Sequence, residues 1–172
     1  MDYICRIPSP LGEITLSSDG QALTGLWFEG QKHFAAMLAP DAKACMLPVF
    51  CDTQAWLDLY FSAKQPDFTP PLCPKGTPFQ QEVWSVLLTI PYGQTMTYGE
   101  IAMRIAKTRS ASRMSARAVG SAVGRNPISL IIPCHRVIGT DGSLTGYAGG
   151  IARKMHLLAL EKASFQQPSR KE

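Results

Sequence analysis

No apolar run in the 172-residue chain approaches the roughly 18 residues that a bilayer-spanning helix requires. Residues Met1 to Arg6 show no basic segment followed by an apolar core, so no signal peptide is expected. The five cysteines (5, 45, 51, 73 and 134) form no Cys-x-x-Cys pair, and their number is odd. A disulfide framework is therefore disfavoured, and a reducing cytoplasm is the expected compartment. Nor do the cysteines and the three histidines stand at zinc-ligand spacings. Cys5, Cys45, Cys51 and His33 would have to meet in space without any of the usual sequence signals, so no metal or other cofactor is expected. With 45% hydrophobic and 17% charged residues, the chain reads as an ordinary globular protein with a sizeable core.

One further absence is local. From Ile101 to Thr140 there is no acidic residue, while seven basic ones occur (Arg104, Lys107, Arg109, Arg113, Arg117, Arg125 and Arg136). Residues 1–74 carry a net charge of −4 and residues 75–172 a net charge of +8. A solvated surface usually mixes signs. A long stretch of one sign in a folded region points to a polyanionic partner, with nucleic acid the first candidate and a merely solubilising face the alternative.

The pattern of turns and alternating residues divides the chain in two. Residues 1–75 read as a small sheet-plus-helix domain. Tyr3, Ile4 and Ile7, then Ile14 and Leu16, then Leu23, Leu26 and Phe28 suggest three strands, separated by turns at Ser9-Pro10-Leu11-Gly12 and Ser18-Asp19-Gly20. Helical patches are expected near Lys32–Leu38 and Thr53–Ala63. A linker containing Pro66, Pro70, Pro71 and Pro74 follows. Residues 76–172 read as mostly helical, which makes the whole an α+β protein. Thr77-Pro78-Phe79-Gln80 and Thr97-Tyr98-Gly99-Glu100 are capping boxes opening two helices. A third helix is expected over about Ser112–Arg125 and a last one over about Ile151–Ala163, with a frayed tail at Gln166–Glu172. The second and third helices, joined by a turn, suggest helix-turn-helix, although any helical hairpin gives the same spacing.

The third helix has an unusual face: Ala116, Ala118, Gly120, Ser121, Ala122 and Gly124 are all small. Each glycine weakens an isolated helix by about 1 kcal/mol relative to alanine. Close approach of another helix would compensate. Close approach of a nucleic-acid backbone would too, and Arg113, Arg117 and Arg125 on the same segment favour it. Small side chains would also let the helix enter a minor groove.

Asn126-Pro127 ends that helix, and an apolar run from Ile128 to Ile132 leads into Pro133-Cys134-His135-Arg136. A thiol and an imidazole one residue apart can form a nucleophile–base pair, because the histidine can take the proton that makes the sulfur a thiolate. Such a base is usually oriented by a carboxylate. Downstream, Asp141, Glu161 and Glu172 are available. Spacing does not decide among them, but Glu161 sits on a helix, whereas Asp141 lies in a turn and Glu172 is the last residue.

The segment Pro133-Cys134-His135-Arg136-Val137-Ile138-Gly139 resembles the active-site motif of the O6-alkylguanine-DNA alkyltransferases. The likeness extends, in order, over Gly76-Thr77-Pro78-Phe79-Gln80, Ile90-Pro91-Tyr92-Gly93, Thr97-Tyr98-Gly99, Ala116-Arg117-Ala118-Val119-Gly120, Asn126-Pro127 and Gly146-Tyr147-Ala148-Gly149-Gly150. It covers nearly all of residues 76 to 163. The resemblance implies a ribonuclease-H-like N-terminal domain and a single-turnover DNA-repair protein. Cys134 would accept the alkyl group from O6-alkylguanine, or O4-alkylthymine, in duplex DNA. It further implies that His135 takes the thiol proton through water, that Glu161 orients His135, that Tyr98 helps protonate the departing base, and that Asn126 is a hinge. Arg117 would fill the stack vacated by a flipped nucleotide. Thr97, Ala116, Gly120, Ser121, Arg125 and Arg136 would contact DNA through its minor groove. Val137, Tyr147, Ala148 and Gly149 would line the alkylguanine pocket. The protein would be monomeric when free, with no membrane partner. The segment Met103–Ser115 is longer than the family's pattern and falls in the helix-turn-helix turn. On the residues alone, a non-catalytic lesion binder and a cysteine hydrolase unrelated to DNA remain the competing readings.

Overall fold

Alternation of apolar residues sets the first sheet. Strands β1 (Tyr3–Ile7), β2 (Ile14–Ser18) and β3 (Leu23–Phe28) form an antiparallel meander, with Cys5 opposite Leu16, Ile7 opposite Ile14, Leu16 opposite Leu26 and Ile14 opposite Phe28. Cross-strand partners share a face, so these side chains line one side of the sheet. Ile14, Leu16, Leu26 and Phe28 are fully buried there. A short strand β4 (Lys43–Ala44) adds parallel to β1, giving the order β3-β2-β1-β4. Helix α1 (Pro48–Phe61) begins with Pro48 in its first turn and buries Phe50, Thr53, Trp56, Leu57 and Tyr60. These features belong to the computed structural model of the chain, which describes residues 1–163; the expected tail at Gln166–Glu172 lies outside them.

Three details of this half differ from expectation. Lys32–Leu38 is a series of turns, not a helix, because His33 and Ala35 adopt left-handed backbone conformations that interrupt it. The proline-rich segment is not a bare linker: Leu23 donates to the Pro71 carbonyl and Cys73 to the Leu23 carbonyl, at 2.7 and 2.8 Å. Finally, Pro127–Ile131 joins this unit. Leu26 donates to the Pro127 carbonyl and Ser129 to the Leu26 carbonyl, at 2.9 and 3.0 Å. The first compact unit is thus Met1–Lys75 with Pro127–Ile131.

The second unit comprises Gly76–Asn126 and the chain from Ile132 onward. Both capping boxes form. Thr77 and Gln80 close the start of α2 (Pro78–Leu87), and Thr97 and Glu100 close the start of α3 (Tyr98–Thr108). Helix α4 (Ala116–Gly124) starts later than the expected Ser112, because Ser115 is the residue whose hydroxyl caps it, accepting from Ala118 N–H at 3.1 Å. The intervening residues close α3. Ala111 N–H returns to the Ala106 carbonyl, Ser110 turns left-handed, and Arg109 folds back onto Glu82 at 2.6 Å and over the Phe79 ring. Trp84 donates its indole N–H to the Ala122 carbonyl at 2.9 Å, pinning α4 to α2. A short parallel ladder, β5 (Met96–Thr97) with β6 (Val137–Ile138), sets the start of α3 beside the chain that leaves Cys134. Helix α5 (Ile151–Leu160) completes the described part of the unit.

Candidate active site

The Cys134 turn is held at both ends. The chain departs after Asn126 and returns at Ile132. The Asn126 side-chain amide bridges these points by donating to the Ile132 carbonyl at 2.8 Å, and it also hydrogen-bonds the Cys134 sulfur. Cys134 N–H donates to the Ile132 carbonyl at 2.8 Å, and Cys134–Arg136 forms one 3₁₀ turn. Cys134 is only 5% exposed. Burial pushes its thiol pKa up; Asn126, the Lys154 charge and backbone N–H groups pull it back only in part. The resting sulfur is a protonated thiol that needs a base at the moment of reaction.

Next to it lies a sealed ionic cluster. His135 Nε2 is 2.7 Å from Glu161 Oε1, and both residues are buried. Arg136 forks onto the same carboxylate, with Nε on Oε2 and Nη2 on Oε1, each at 2.9 Å. Its Nη1 donates to the Ile90 carbonyl at 2.7 Å, and Gly93 N–H donates to Glu161 Oε2 at 3.1 Å. Burial opposes the charge on Glu161, but the hydrogen bonds and charges of His135 and Arg136 outweigh it. They hold the carboxyl well below the usual glutamate range. An ionised carboxylate only accepts, so His135 Nε2 carries the proton. Burial lowers the His135 pKa, and Arg136 and Lys154 add to the effect, against the pull of Glu161. The imidazole is therefore neutral, and its Nδ1 is the basic nitrogen.

Lys154 was not among the residues singled out from the sequence. Its side chain is fully buried, and its Nζ donates to the Val137 carbonyl and, at 3.3 Å, to that of Thr145. Burial pulls its pKa down to about 8, with the Cys134 sulfur opposing. It shares the buried face of α5 with Leu157 and Leu158, at the spacing that leads on to Glu161. A lysine repeating with core positions of an amphipathic helix was the signal available for it.

Tyr98, the first residue of α3, connects this chemistry to α4. Thr145 Oγ1 donates to its hydroxyl at 3.2 Å. Burial raises its pKa and the Cys134 sulfur raises it further, so the phenol keeps its proton. On α4, Ala116, Arg117 and Ser121 are exposed, as is Arg125 just past its end, while Val119, Ala122 and Val123 are buried. A Cβ built on Gly120 would meet the Tyr98 ring at 3.7 Å, an ordinary contact, and one on Gly124 would meet nothing within 4 Å. The packing of the described residues does not require either glycine.

A family model for the DNA-binding domain of 6-O-methylguanine DNA methyltransferase matches residues 78–163, and one for its ribonuclease-like domain matches residues 3–74. The chain belongs to this methyltransferase family. It is 42% identical over 167 residues to the methylated-DNA–protein-cysteine methyltransferase of Haemophilus influenzae, covering 95% of this chain and 88% of that one. To the Mycobacterium tuberculosis (H37Rv) protein of the same description it is 46% identical over 165 residues, covering 95% and 94%. Among solved structures, M. tuberculosis OGT in complex with DNA matches with a TM-score of 0.81 at 45% identity, over 93% of this chain and 92% of that one. The Methanococcus jannaschii O6-methylguanine DNA methyltransferase matches at 0.63 and 25% identity, over 98% and 99%.

Within this family member, Cys134, His135, Glu161, Asn126 and Tyr98 are linked by the contacts above, and Arg117, Ala116, Gly120 and Ser121 share α4, with Arg125 as its C-cap. Arg136 departs from the expectation of a DNA-facing cation. It is 8% exposed, and its guanidinium donates to Glu161 and Ile90 beneath the thiol turn, so it belongs to the ionic cluster. Thr97 is the cap of α3, its hydroxyl accepting from Glu100 N–H at 3.1 Å. In the segments expected to line the base pocket, Val137 accepts from Lys154, and Tyr147–Gly150 is a turn closed by Gly150 N–H on the Tyr147 carbonyl at 2.9 Å. Gly149 in that turn lies so close under the Tyr147 ring that a Cβ would stand 2.7 Å from it. Ala148 lies in the same turn, half-buried. Among the described residues no helix is long and apolar enough to cross a membrane.

Proposed function

We propose that the protein repairs O6-alkylguanine in duplex DNA, with O4-alkylthymine a further substrate, by moving the alkyl group irreversibly onto Cys134. The observation that carries this reading is one arrangement: a buried thiol beside a neutral histidine whose proton is fixed by Glu161, with the Tyr98 phenol linking that thiol to a helix face of small residues and arginines. In the reaction the thiol proton passes to His135 Nδ1, through water. The sulfur lone pair then forms the S–C bond while the C–O bond breaks toward the base. Tyr98 supplies a proton to the departing guanine, which would otherwise leave as a poorly stabilised anion. The product thioether has no release step in this site, so each protein acts once.

The target oxygen faces the interior of the duplex, so the nucleotide must be extruded. Arg117, exposed on α4, is the side chain we assign to the vacated stack. Ala116, Gly120, Ser121 and Arg125 rest against the minor groove, with Asn126 as the hinge leading back to the thiol. The Val137 carbonyl and the Tyr147-Ala148-Gly149 turn line the pocket for the base. We place the protein in the cytoplasm, as a monomer when not on DNA.

The test is to incubate the intact protein with duplex containing O6-methylguanine and weigh it. The expected result is a mass gain of one methylene equivalent per protein, mapped to the Cys134 peptide, ending when protein and lesion have reacted one to one. Binding without a mass gain would mark a lesion binder, and repeated turnover on a small ester or amide would mark a hydrolase. Either outcome overturns the reading.

The small-residue face gives a second expectation. Gly120→Ala removes a helix-interior glycine whose Cβ would make only an ordinary contact with the Tyr98 ring, so it is expected to stabilise the protein by about 0.5–1 kcal/mol. The same methyl stands on the face assigned to the groove and should weaken duplex affinity several-fold. Thermal melting and a binding titration check both halves. Unchanged affinity would remove Gly120 from the DNA face.

A further inference from the structure

In the first unit, three thiols unrelated to Cys134 converge. Cys5 lies on β1 and is half-buried; Cys45 and Cys51 are exposed, just after β4 and in the first turn of α1. The β1–β4 ladder pairs Tyr3 with Lys43 and Ile4 with Ala44, and its bonds run from Lys43 N–H to the Asp2 carbonyl and from Cys45 N–H to the Ile4 carbonyl, at 2.9 and 3.2 Å. The ladder ends at Ile4 and Ala44; Cys45 follows directly, tied by its N–H to the Ile4 carbonyl, and so lies one residue past the last paired rung, alongside Cys5. Neighbouring strands lie about 4.8 Å apart, and in-register parallel residues point to the same face. That separation falls within the Cα range of disulfides, about 4.4–6.8 Å. The two thiols are also oriented alike, each donating to the carbonyl of its following residue. From the helix side, Cys51 is close enough to Cys5 to act on it electrostatically. Among the described residues, no three His, Cys, Asp or Glu side chains are arranged to hold a metal ion. Cys73, exposed and outside the cluster, serves as an internal control.

We propose that this cluster is a peroxide-responsive modification site, in which Cys5 resolves an oxidised Cys45 or Cys51 into a reversible intrachain disulfide. In the first step an exposed thiol attacks a hydroperoxide. The O–O bond breaks, one oxygen stays on the sulfur as a sulfenic acid, and the other leaves with the thiol proton as water from hydrogen peroxide or as the alcohol from an organic hydroperoxide. In the second step the Cys5 sulfur attacks that sulfur, the S–S bond forms, the S–O bond breaks, and water leaves with the Cys5 proton. The bond ties β1 to the β4–α1 corner, within a unit that makes no use of the Cys134 chemistry. A nearby resolving thiol also stops the exposed sulfurs from passing on to irreversible sulfinic and sulfonic acids.

The experiment treats the full-length protein with hydrogen peroxide, blocks remaining thiols, and maps peptides without reduction. The expected product is a cross-linked peptide pair containing Cys5 with Cys45 or Cys51. It should be restored to free thiols by dithiothreitol, while Cys73 stays blocked as a free thiol. Cys5→Ser should abolish the linkage and let sulfinic acid build up at Cys45 and Cys51. If that variant does not fold, the Cys45→Ser, Cys51→Ser double variant, changed only at exposed positions, should leave Cys5 unlinked. A map with no linkage through Cys5, or with Cys73 oxidised to the same extent as the cluster, overturns the proposal.

Discussion

Cys134→Ser is expected to abolish alkyl transfer, lowering the single-turnover rate by more than about 10³-fold, while duplex affinity stays within about twofold. The hydroxyl keeps the shape of the side chain and its hydrogen bond to Asn126. What it loses is acidity. The wild-type thiol already sits above its ordinary pKa because burial outweighs Asn126, Lys154 and the backbone donors. The site therefore holds a protonated nucleophile that depends on the neighbouring imidazole to take its proton. An alcohol in the same place starts far less acidic and is a much poorer nucleophile toward an alkyl carbon than a thiolate. The α4 face is untouched by the change, so binding should persist. Rapid-quench transfer assays and a parallel binding titration separate the two effects. Residual transfer at the wild-type rate, in this variant or in Cys134→Ala, would point to a different acceptor cysteine.

That balance of a raised thiol and a neutral histidine was only partly legible in the sequence. The two capping boxes, the thiol–imidazole pair and the helical carboxylate could be read because each depends on residues close in the chain or on a helix start with a local chemical signal. Arg136 and Lys154 could not be read that way. Arg136 stands in the acid-free basic stretch and Lys154 directly follows another cation, Arg153, and such charges suggest a solvated surface. Burial reverses their meaning: Arg136 becomes a fork on Glu161, and Lys154 becomes a buried amine of lowered pKa clamping the Val137 carbonyl. Only the fold, by stacking the Cys134 turn on α5, makes those positions interior. Long-range pairing likewise escaped the local reading. Pro127–Ile131 looks like the lead-in to the active site, but it belongs to the first unit, where it hydrogen-bonds to β3, before the chain continues at Ile132 in the second. The start of α4 was misjudged for a simpler reason. Serines at 110, 112 and 115 are all good caps, and only Ser115 sits where a helix can follow.

Glu161→Gln is expected to cost both stability and transfer, although the change is one of a single atom. All four acceptor positions of the carboxylate are filled: His135 Nε2 and Arg136 Nη2 at Oε1, Arg136 Nε and Gly93 N–H at Oε2. An amide has one NH₂ group, which must replace one of these oxygens. Placed at Oε2, it meets two donors. Placed at Oε1, it meets an Arg136 donor and drives His135 to the other tautomer, which puts the proton on Nδ1 and removes the base. Neither orientation is satisfied, and the guanidinium is left buried without its counter-charge. Losing one partner of a buried pair costs about 3–5 kcal/mol, a fall in melting temperature of about 10 °C for a chain of this size. Transfer should slow by about 10²- to 10⁴-fold through loss of general-base assistance. The pH dependence supplies an independent check. Glu161 titrates well below an unfolded glutamate, so its contribution is present above the ordinary glutamate range and is lost as the pH falls toward its own depressed value. Wild-type stability should therefore decline on acidification below that range, and the Glu161→Gln variant should lose this part of the slope. A variant that melts like the wild type, with the same acid slope and the same transfer rate, would remove Glu161 from the role of orienting His135.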